Sequence, residues 1–291
     1  MRLETRIFKN GSTTYYFSSK FFPRKVREDV ADLYSFVRTA DDYVDNKPAQ
    51  TQKLLKLEQY YRESIKVKSF DFRVKKNDSV DQRVAKNIIR VSRKYDLKNA
   101  WVESFIASMK QDISPKTYKT LSDSLDYVYG SADVIGLMMA KIMGLPDEAL
   151  KYAQMQGRAM QWINFVRDVK EDNGLGRCYF PATDLKKFGL SSLEHQEALK
   201  NPDQFKKFIR FQIKRYYGWQ TEANEGFKFI PRRLRIPLQT AVDMYAWTAE
   251  QIEKDPFIVF EKKVKPRKRD ILRRGAYLRR NHETIPLLNS I

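Results

Sequence analysis

Asp41 and Asp45 stand four residues apart in LYSFVRTADDYVD, residues 33–45. On a helix both carboxylates leave one face about 5–6 Å apart at Cβ. Like charges so placed repel each other, and acids near a helix C-terminus oppose its dipole, so the pair costs stability unless a cation lies between them. Asp168 and Asp172 repeat the spacing in NFVRDVKED, residues 164–172, with Asn164 one turn earlier as a neutral oxygen donor. Arg38 and Arg167 flank the two pairs. One such pair means little in a chain with 31% charged residues, because exposed helices produce them routinely. Two pairs, each in an apolar helix beside an arginine, are far more informative. Facing each other, they form jaws for two or three Mg²⁺ ions, which take oxygen ligands and keep positions for substrate phosphate. Adjacent arginines suit bidentate contact with diphosphate oxygens. The chemistry this favours is departure of diphosphate from carbon, with cations stabilising the charge that develops on the leaving oxygen.

The elements that must hold these groups read as helices almost throughout. Residues 26–45 place Val30, Leu33, Phe36, Val37 and Ala40 on one stripe, with Pro23 before the run and Asn46-Lys47-Pro48 after it. Further helices are expected at about 52–66, 79–94, 97–112, 119–143, 147–172, 202–228 and 235–254. Pro146, Pro181, Pro202, Pro231 and Pro237 fall near the expected breaks. No alternation bounded by hairpin turns and no repeat is visible, so the expected architecture is one all-α domain over 1–291. The helices 119–143 and 147–172 carry Ala, Gly, Ser and Met around most of their circumference and belong at the centre. Their small residues either allow close packing or border a cavity; the pattern alone favours close packing.

Composition narrows the classes. The 291 residues include 42% hydrophobic and 13% aromatic, ample for a packed core and incompatible with disorder. One cysteine, Cys178, excludes a disulfide framework and a thiolate zinc site, and two histidines, His195 and His282, leave little for an imidazole cluster. Any metal is therefore expected to be a hard ion held by carboxylates. No glycine-rich phosphate loop follows a strand, so a diphosphate site here is built from helices, and one opening onto an apolar cavity suits a lipid-like substrate. The N-terminus has no apolar core of signal-peptide length, and no stretch reaches the length of a membrane span, so the expected location is the cytoplasm. Of the net charge of +19, +9 lies in residues 262–280, which hold ten Lys/Arg against Asp270 alone. This basic tail, about 262–291, is either a solvated face or a contact for an anionic partner.

Four motifs, in order and spacing, resemble the squalene/phytoene synthase family, the head-to-head prenyl diphosphate synthases, over about residues 7–270. They are GSTTYYFSSKFFP at 11–23, LYSFVRTADDYVD at 33–45, YVYGSADVIGLMM at 127–139 and AMQWINFVRDVKEDNGLGRCYFP at 159–181. The resemblance implies an isoprenoid-synthase-type helical bundle with a central apolar cavity. It implies that Asp41, Asp45, Asn164, Asp168 and Asp172 hold Mg²⁺, and that Tyr34, Arg38, Gln161 and Arg167 contact diphosphate or orient its ligands. Ser12 and Thr14 match N-terminal phosphate-side residues, Tyr245 a C-terminal tyrosine near a diphosphate, and Lys262, loosely, a basic residue there. Tyr129 matches a tyrosine near the carbocation; without the resemblance it reads as a core tyrosine. Gly11 stands where many members have histidine, and Asp133 where they have glycine. Asp133 either hydrogen-bonds into the site or is solvated at a helix bend.

The reaction so implied joins two prenyl diphosphates through a cyclopropylcarbinyl diphosphate. With geranylgeranyl diphosphate and terminal proton loss the product is phytoene, the reading preferred here on the wording GSADVIGLMM. The alternative is squalene or dehydrosqualene synthase acting on farnesyl diphosphate, with NADPH needed only for squalene. The partners expected are prenyl diphosphates and, peripherally, an anionic membrane surface at the basic tail. A basic, non-catalytic nucleic-acid-binding helical protein also accounts for +19, but not for two carboxylate faces, and no nucleic acid is expected as a partner.

Overall fold

Proline and short polar side chains set many of the helix ends. Pro23 and Pro231 occupy N-cap positions, Pro202 sits in the first turn of its helix, and Ser79 and Thr120 each form a reciprocal capping box with the residue three positions on. In this computed structural model, which describes residues 1–67, 74–114 and 116–281, the helices run α1 Leu3–Gly11, α2 Thr13–Ser19, α3 Arg24–Asp45, α4 Thr51–Lys66, α5 Val80–Tyr95, α6 Asn99–Gln111, α7 Leu121–Val128 and α8 Val134–Ile142. They continue as α9 Leu150–Arg167, α10 Val169–Gly174, α11 Ala182–Lys187, α12 His195–Lys200, α13 Pro202–Asn224, α14 Arg232–Lys254, α15 Ile258–Glu261 and α16 Lys268–Arg280. Among the described residues there is no strand, and the fold class is all-α.

Four expectations need correction. The run 119–143 is not one α-helix: a π-helical turn, Tyr129–Asp133, separates α7 from α8. Gly130 permits it, since a Cβ there would stand 2.3 Å from the Ser104 carbonyl oxygen of α6. The run 147–172 is broken at Asp168, whose backbone leaves helical geometry (φ −99°, ψ 14°) between α9 and α10. Pro237 does not end the helix; it lies inside α14, where its missing N–H removes the single bond to the Arg233 carbonyl and the helix continues through it. Residues 262–281 are no free tail, because α16 packs on α2 and α14, burying Ile271, Gly275 and Leu278. Positions 282–291 of that segment, with His282, lie outside the described residues.

Helix α9 is central, as its composition predicts, with Ala159, Trp162, Ile163 and Val166 fully enclosed. Its small residues do both things left open above. On one side a Cβ at Gly136 would stand 2.0 Å from the Ala153 carbonyl oxygen, and one at Gly157 2.3 Å from that of Ala132, so α8 and α9 touch backbone to backbone. On another side α9 borders a cavity on the seam between two apolar clusters, one around α9, α13 and α14 and one around α3 to α6. Helices α9 and α13 run antiparallel in a register fixed by polar pairs. The Trp162 indole donates to Gln212 at 3.2 Å, and Gln156 and Gln220 exchange amide bonds of 2.9 and 3.0 Å.

Buried ion pairs lock the N-terminal helix in place. Glu4 of α1 accepts from Arg83 (2.7 Å) and Asn87 (2.9 Å) of α5, and Arg2 donates to Asp32 of α3 at 2.6 Å. Phe8 stacks on Tyr34 at 4.3 Å between ring centres. These contacts deliver residues 11–14 to the end of α3 where Asp41 lies.

Candidate active site

Two spaces adjoin inside the bundle. A polar cleft of about 680 Å³ lies among the ends of α3 and α9, the segment 10–15, and Lys263 and Lys265. An apolar cavity of about 260 Å³ runs from it beside α9. Tyr15, Tyr34, Gln161 and Asn164 line both and form the boundary. Of the residues singled out from sequence, Ser12, Thr14, Tyr34, Arg38, Asp41, Asp45, Gln161, Asn164, Arg167, Asp168, Asp172 and Tyr245 all line the cleft.

Tyr129 is the exception. It is 38% exposed and lines neither space. The π-helical turn starts at Tyr129, and the tyrosine facing the cleft is Tyr127, two residues earlier. Its hydroxyl donates to Asp112 at 2.7 Å, as does that of Tyr179 at 2.9 Å, and the two rings stack at 4.8 Å. Nor does Lys262 face the cleft; Lys263 and Lys265 do, on the extended chain between α15 and α16. Asp133 takes neither sequence reading: it is fully buried, receives Arg158 and Gln154 of α9, and ties the π-turn to that helix.

Asp41, Asp42, Asp45 and Asp168 are each held by a cation. Arg38 donates to Asp41 (2.7 Å) and pairs with Asp42 (2.5 Å). Arg167 grips Asp168 with two bonds of 2.7 and 2.6 Å, and Lys263 adds a third at 2.9 Å. Arg177, not found from sequence, donates to Asp45 at 2.7 Å. The cleft is lined by six acids (Asp41, Asp45, Asp112, Asp168, Glu171, Asp172) and six bases (Arg38, Lys47, Arg167, Arg177, Lys263, Lys265). Gly11 keeps Arg38 in position: a Cβ there would stand 2.8 Å from the Arg38 side chain and from the Tyr34 hydroxyl.

The charge is unevenly compensated. Burial and then the Asp45 charge push Asp41 up to about 7, against the pull of Arg38. Its side chain remains 37% exposed through the cleft mouth while protein surrounds it otherwise. Burial and Asp168 also push Asp172 far above the usual carboxylate range. Asp168 moves the other way, because Arg167 and Lys263 outweigh its burial. Burial first, then the charges of Arg167 and Lys263, lower Lys265.

The donor set fits Mg²⁺. The side chains are hard oxygen donors, burial and neighbouring acids disfavour ionisation of Asp41 and Asp172, a cost that a cation between them would relieve, and the buried Asn164 Oδ1 has no hydrogen-bond partner. Among the described residues no three acidic, histidine or cysteine side chains already converge on one point. The ion pairs turn Asp41, Asp45 and Asp168 each toward its own arginine or lysine. Diphosphate would draw those cations off and leave the carboxylates to a metal.

Known proteins share this arrangement of sequence and fold. The profile of the squalene/phytoene synthase family matches residues 8–270. A 15-cis-phytoene synthase of Enterobacter agglomerans is 30% identical over 250 residues, 81% of this chain and 80% of the relative. One from Pantoea ananas is 29% identical over 255 residues, 84% of this chain and 79% of its own. Among solved structures, a dehydrosqualene synthase in complex with ligand superimposes with a TM-score of 0.74 at 23% identity over 95% of both chains. The squalene synthase HpnC from Alicyclobacillus acidocaldarius gives 0.71 at 23% identity, over 90% of this chain and 94% of that one.

Proposed function

The chain belongs to the squalene/phytoene synthase family and is a phytoene synthase-like prenyltransferase, and from that premise we propose that it joins two molecules of geranylgeranyl diphosphate into phytoene with Mg²⁺ in its polar cleft. The observation that carries this reading is the boundary of Tyr15, Tyr34, Gln161 and Asn164, where a cleft suited to diphosphate meets a cavity suited to a prenyl chain. Asp41, Asp45, Asn164, Asp168 and Asp172 would hold the ions, which when bound neutralise the departing diphosphate.

Arg38, Arg167, Lys263 and Lys265 bind the diphosphate oxygens and orient the allylic carbon toward the cavity. The carbon–oxygen bond breaks with its electron pair on diphosphate, and the double bond of the second substrate attacks the cation. Proton loss closes the cyclopropane, and a second ionisation, rearrangement and proton loss yield the hydrocarbon. The wall of Phe22, Leu33, Ile135, Met139 and Met160 excludes the water that would trap the cation as an alcohol. Tyr15, whose hydroxyl donates to the Met160 sulfur at 3.2 Å, presents an aromatic face at the boundary.

Lipophilic substrate and product give the basic exposed face of α16 a role as a contact for anionic membrane. The deciding experiment is extraction after incubation with Mg²⁺ and geranylgeranyl or farnesyl diphosphate, with and without NADPH. Phytoene without NADPH is the expected product. Squalene from farnesyl diphosphate only with NADPH would replace both substrate and final step, and no hydrocarbon from either would overturn the assignment.

A further inference from the structure

We propose that Tyr152, seated on Gly226, is the floor of the cavity and sets the longest prenyl chain the enzyme accepts, an inference that rests on the prenyl diphosphate reading above. The direction of the cavity follows from helix register. Asn164 marks its polar end, and the pairs Trp162 with Gln212, Gln156 with Gln220 and Tyr152 with Gly226 descend α9 in order against α13 and the 3₁₀ turn Glu225–Phe229 that follows it. Leu145, Ala149, Tyr152, Phe227 and Ile230 close the far end. Four of these are buried, and Tyr152 alone is partly exposed. Its ring lines the cavity, stacks on Phe229 at 5.9 Å, and lies under the exposed ammonium groups of Lys151 (4.7 Å) and Lys228 (5.4 Å). The ring therefore separates apolar space from solvent. A glycine at 226 is what lets it sit there, since a Cβ would stand 2.5 Å from the Tyr152 Cβ.

The length agrees with a twenty-carbon chain. From Asn164 to Tyr152 the helix rises about 18 Å. Carbon–carbon bonds of about 1.5 Å advance an extended chain by about 1.25 Å each, giving about 19 Å for a geranylgeranyl chain and about 14 Å for a farnesyl chain. A further isoprene unit adds about 5 Å and meets the Tyr152 ring.

The test supplies fifteen-, twenty- and twenty-five-carbon prenyl diphosphates with Mg²⁺ to the wild type, Tyr152→Ala, Tyr152→Phe and Ala153→Leu, and reads kcat/KM and the carbon number of the extracted hydrocarbon. Tyr152→Ala is expected to raise the ratio of kcat/KM for the twenty-five-carbon over the twenty-carbon substrate at least about tenfold, the scale on which an apolar pocket discriminates chain length. Tyr152→Phe keeps the wild-type profile, and Ala153→Leu, which shortens the cavity from the other direction, shifts preference toward fifteen carbons. An unchanged profile in a folded Tyr152→Ala enzyme overturns the proposal. Should that variant not fold, an unchanged profile in Ala153→Leu overturns it. A wild type inactive on all three substrates is the separate outcome that rejects the prenyl diphosphate reading itself.

Discussion

Arg177 donates from Nη1 to Asp45 Oδ1 at 2.7 Å, and so ties the chain that follows α10 to the last residue of α3. Its Nη2 donates to the Val44 carbonyl at 2.7 Å and to that of Asp112 at 3.1 Å. With Lys47 donating to the Gly174 carbonyl beside it, this bond fixes the gap between the two aspartate-bearing elements. The guanidinium is only 6% exposed. Arg177→Met would leave the Asp45 carboxylate and the Val44 and Asp112 carbonyls without their donor, and the buried Asp112 carboxylate without the cation 4.0 Å away, a loss of about 3–5 kcal/mol for an uncompensated buried partner. The expected result is a lower urea midpoint at unchanged m-value, with turnover lost even where the protein stays folded. Stability and activity equal to wild type would mean that the gap is set elsewhere.

Asp41 and Asp168 differ in what they do to the fold. The folded-state pKa of Asp41 is raised, so its ionised form is disfavoured; the penalty is absent below the unfolded value, grows as pH rises toward about 7, and persists above. Solvent reaching the side chain screens it, and Asp41→Asn should gain about 1–2 kcal/mol at pH 8 without Mg²⁺. The pKa of Asp168 is lowered, so its contribution is present above the unfolded value and lost as pH falls through the folded one. Asp168→Asn strips Arg167 of its bidentate partner and should destabilise at pH 7. Both substitutions should abolish turnover. Melting curves at pH 4 and 8 give the signs, and equal shifts would refute the asymmetry.

If Mg²⁺ binds as proposed, it would displace the proton that Asp41 retains near neutrality. Affinity for the ion should therefore rise about tenfold between pH 6 and pH 8 from this group alone, with Asp172 adding to it, and binding should release protons to the buffer. Calorimetry in two buffers of different ionisation enthalpy measures that release. Affinity independent of pH would place the ion away from Asp41.

The parts of this site legible in sequence are those a helix repeats. Asp41 with Asp45 announced themselves because four-residue spacing puts two side chains on one face, and Asn164 and Gln161 follow the same rule on α9. Arg177 and Asp112 obey no period. They come from irregular chain 65 residues apart, and the only hint was an arginine five positions after Asp172 in the quoted motif. Lys263 was missed by one position and Lys265 by three, since extended chain alternates its side chains and a basic run gives no phase. The two N-terminal helices and α16 were not read as helices. Buried Glu4 and its arginine partner fix α1, and the fit of Gly275 against Phe21 seats α16; neither contact shows as local periodicity.

Tyr127 and Tyr129 offer a direct comparison within one motif. Tyr127 lines the cleft in a network with Asp112 and Tyr179, whereas Tyr129 is partly exposed and lines neither space. Tyr127→Phe leaves Asp112 with one phenol donor and should slow turnover and alter the ratio of cyclopropyl intermediate to final hydrocarbon. Tyr129→Phe should change neither by more than about twofold, as expected of an exposed position. The opposite ranking, read from product ratios in single-turnover extracts, would restore Tyr129 to the reaction.

The exposed face of α16 carries Arg269, Arg273, Arg279 and Arg280, while its buried face packs on α2, whose Tyr15, Ser18 and Ser19 line the cavity. A membrane contact there would place lipophilic substrates beside the space that receives them. Each basic side chain near an anionic surface contributes about 1 kcal/mol, so Arg273→Ala, Arg279→Ala and Arg280→Ala together should weaken vesicle binding roughly a hundredfold. Cosedimentation with vesicles containing anionic phosphatidylglycerol at low salt should retain the wild type and lose the triple variant. At 1 M salt, where charges are screened within about 3 Å, both should stay in solution. Wild-type protein that fails to sediment at low salt would remove the membrane from this description and leave the basic face as a solvated surface.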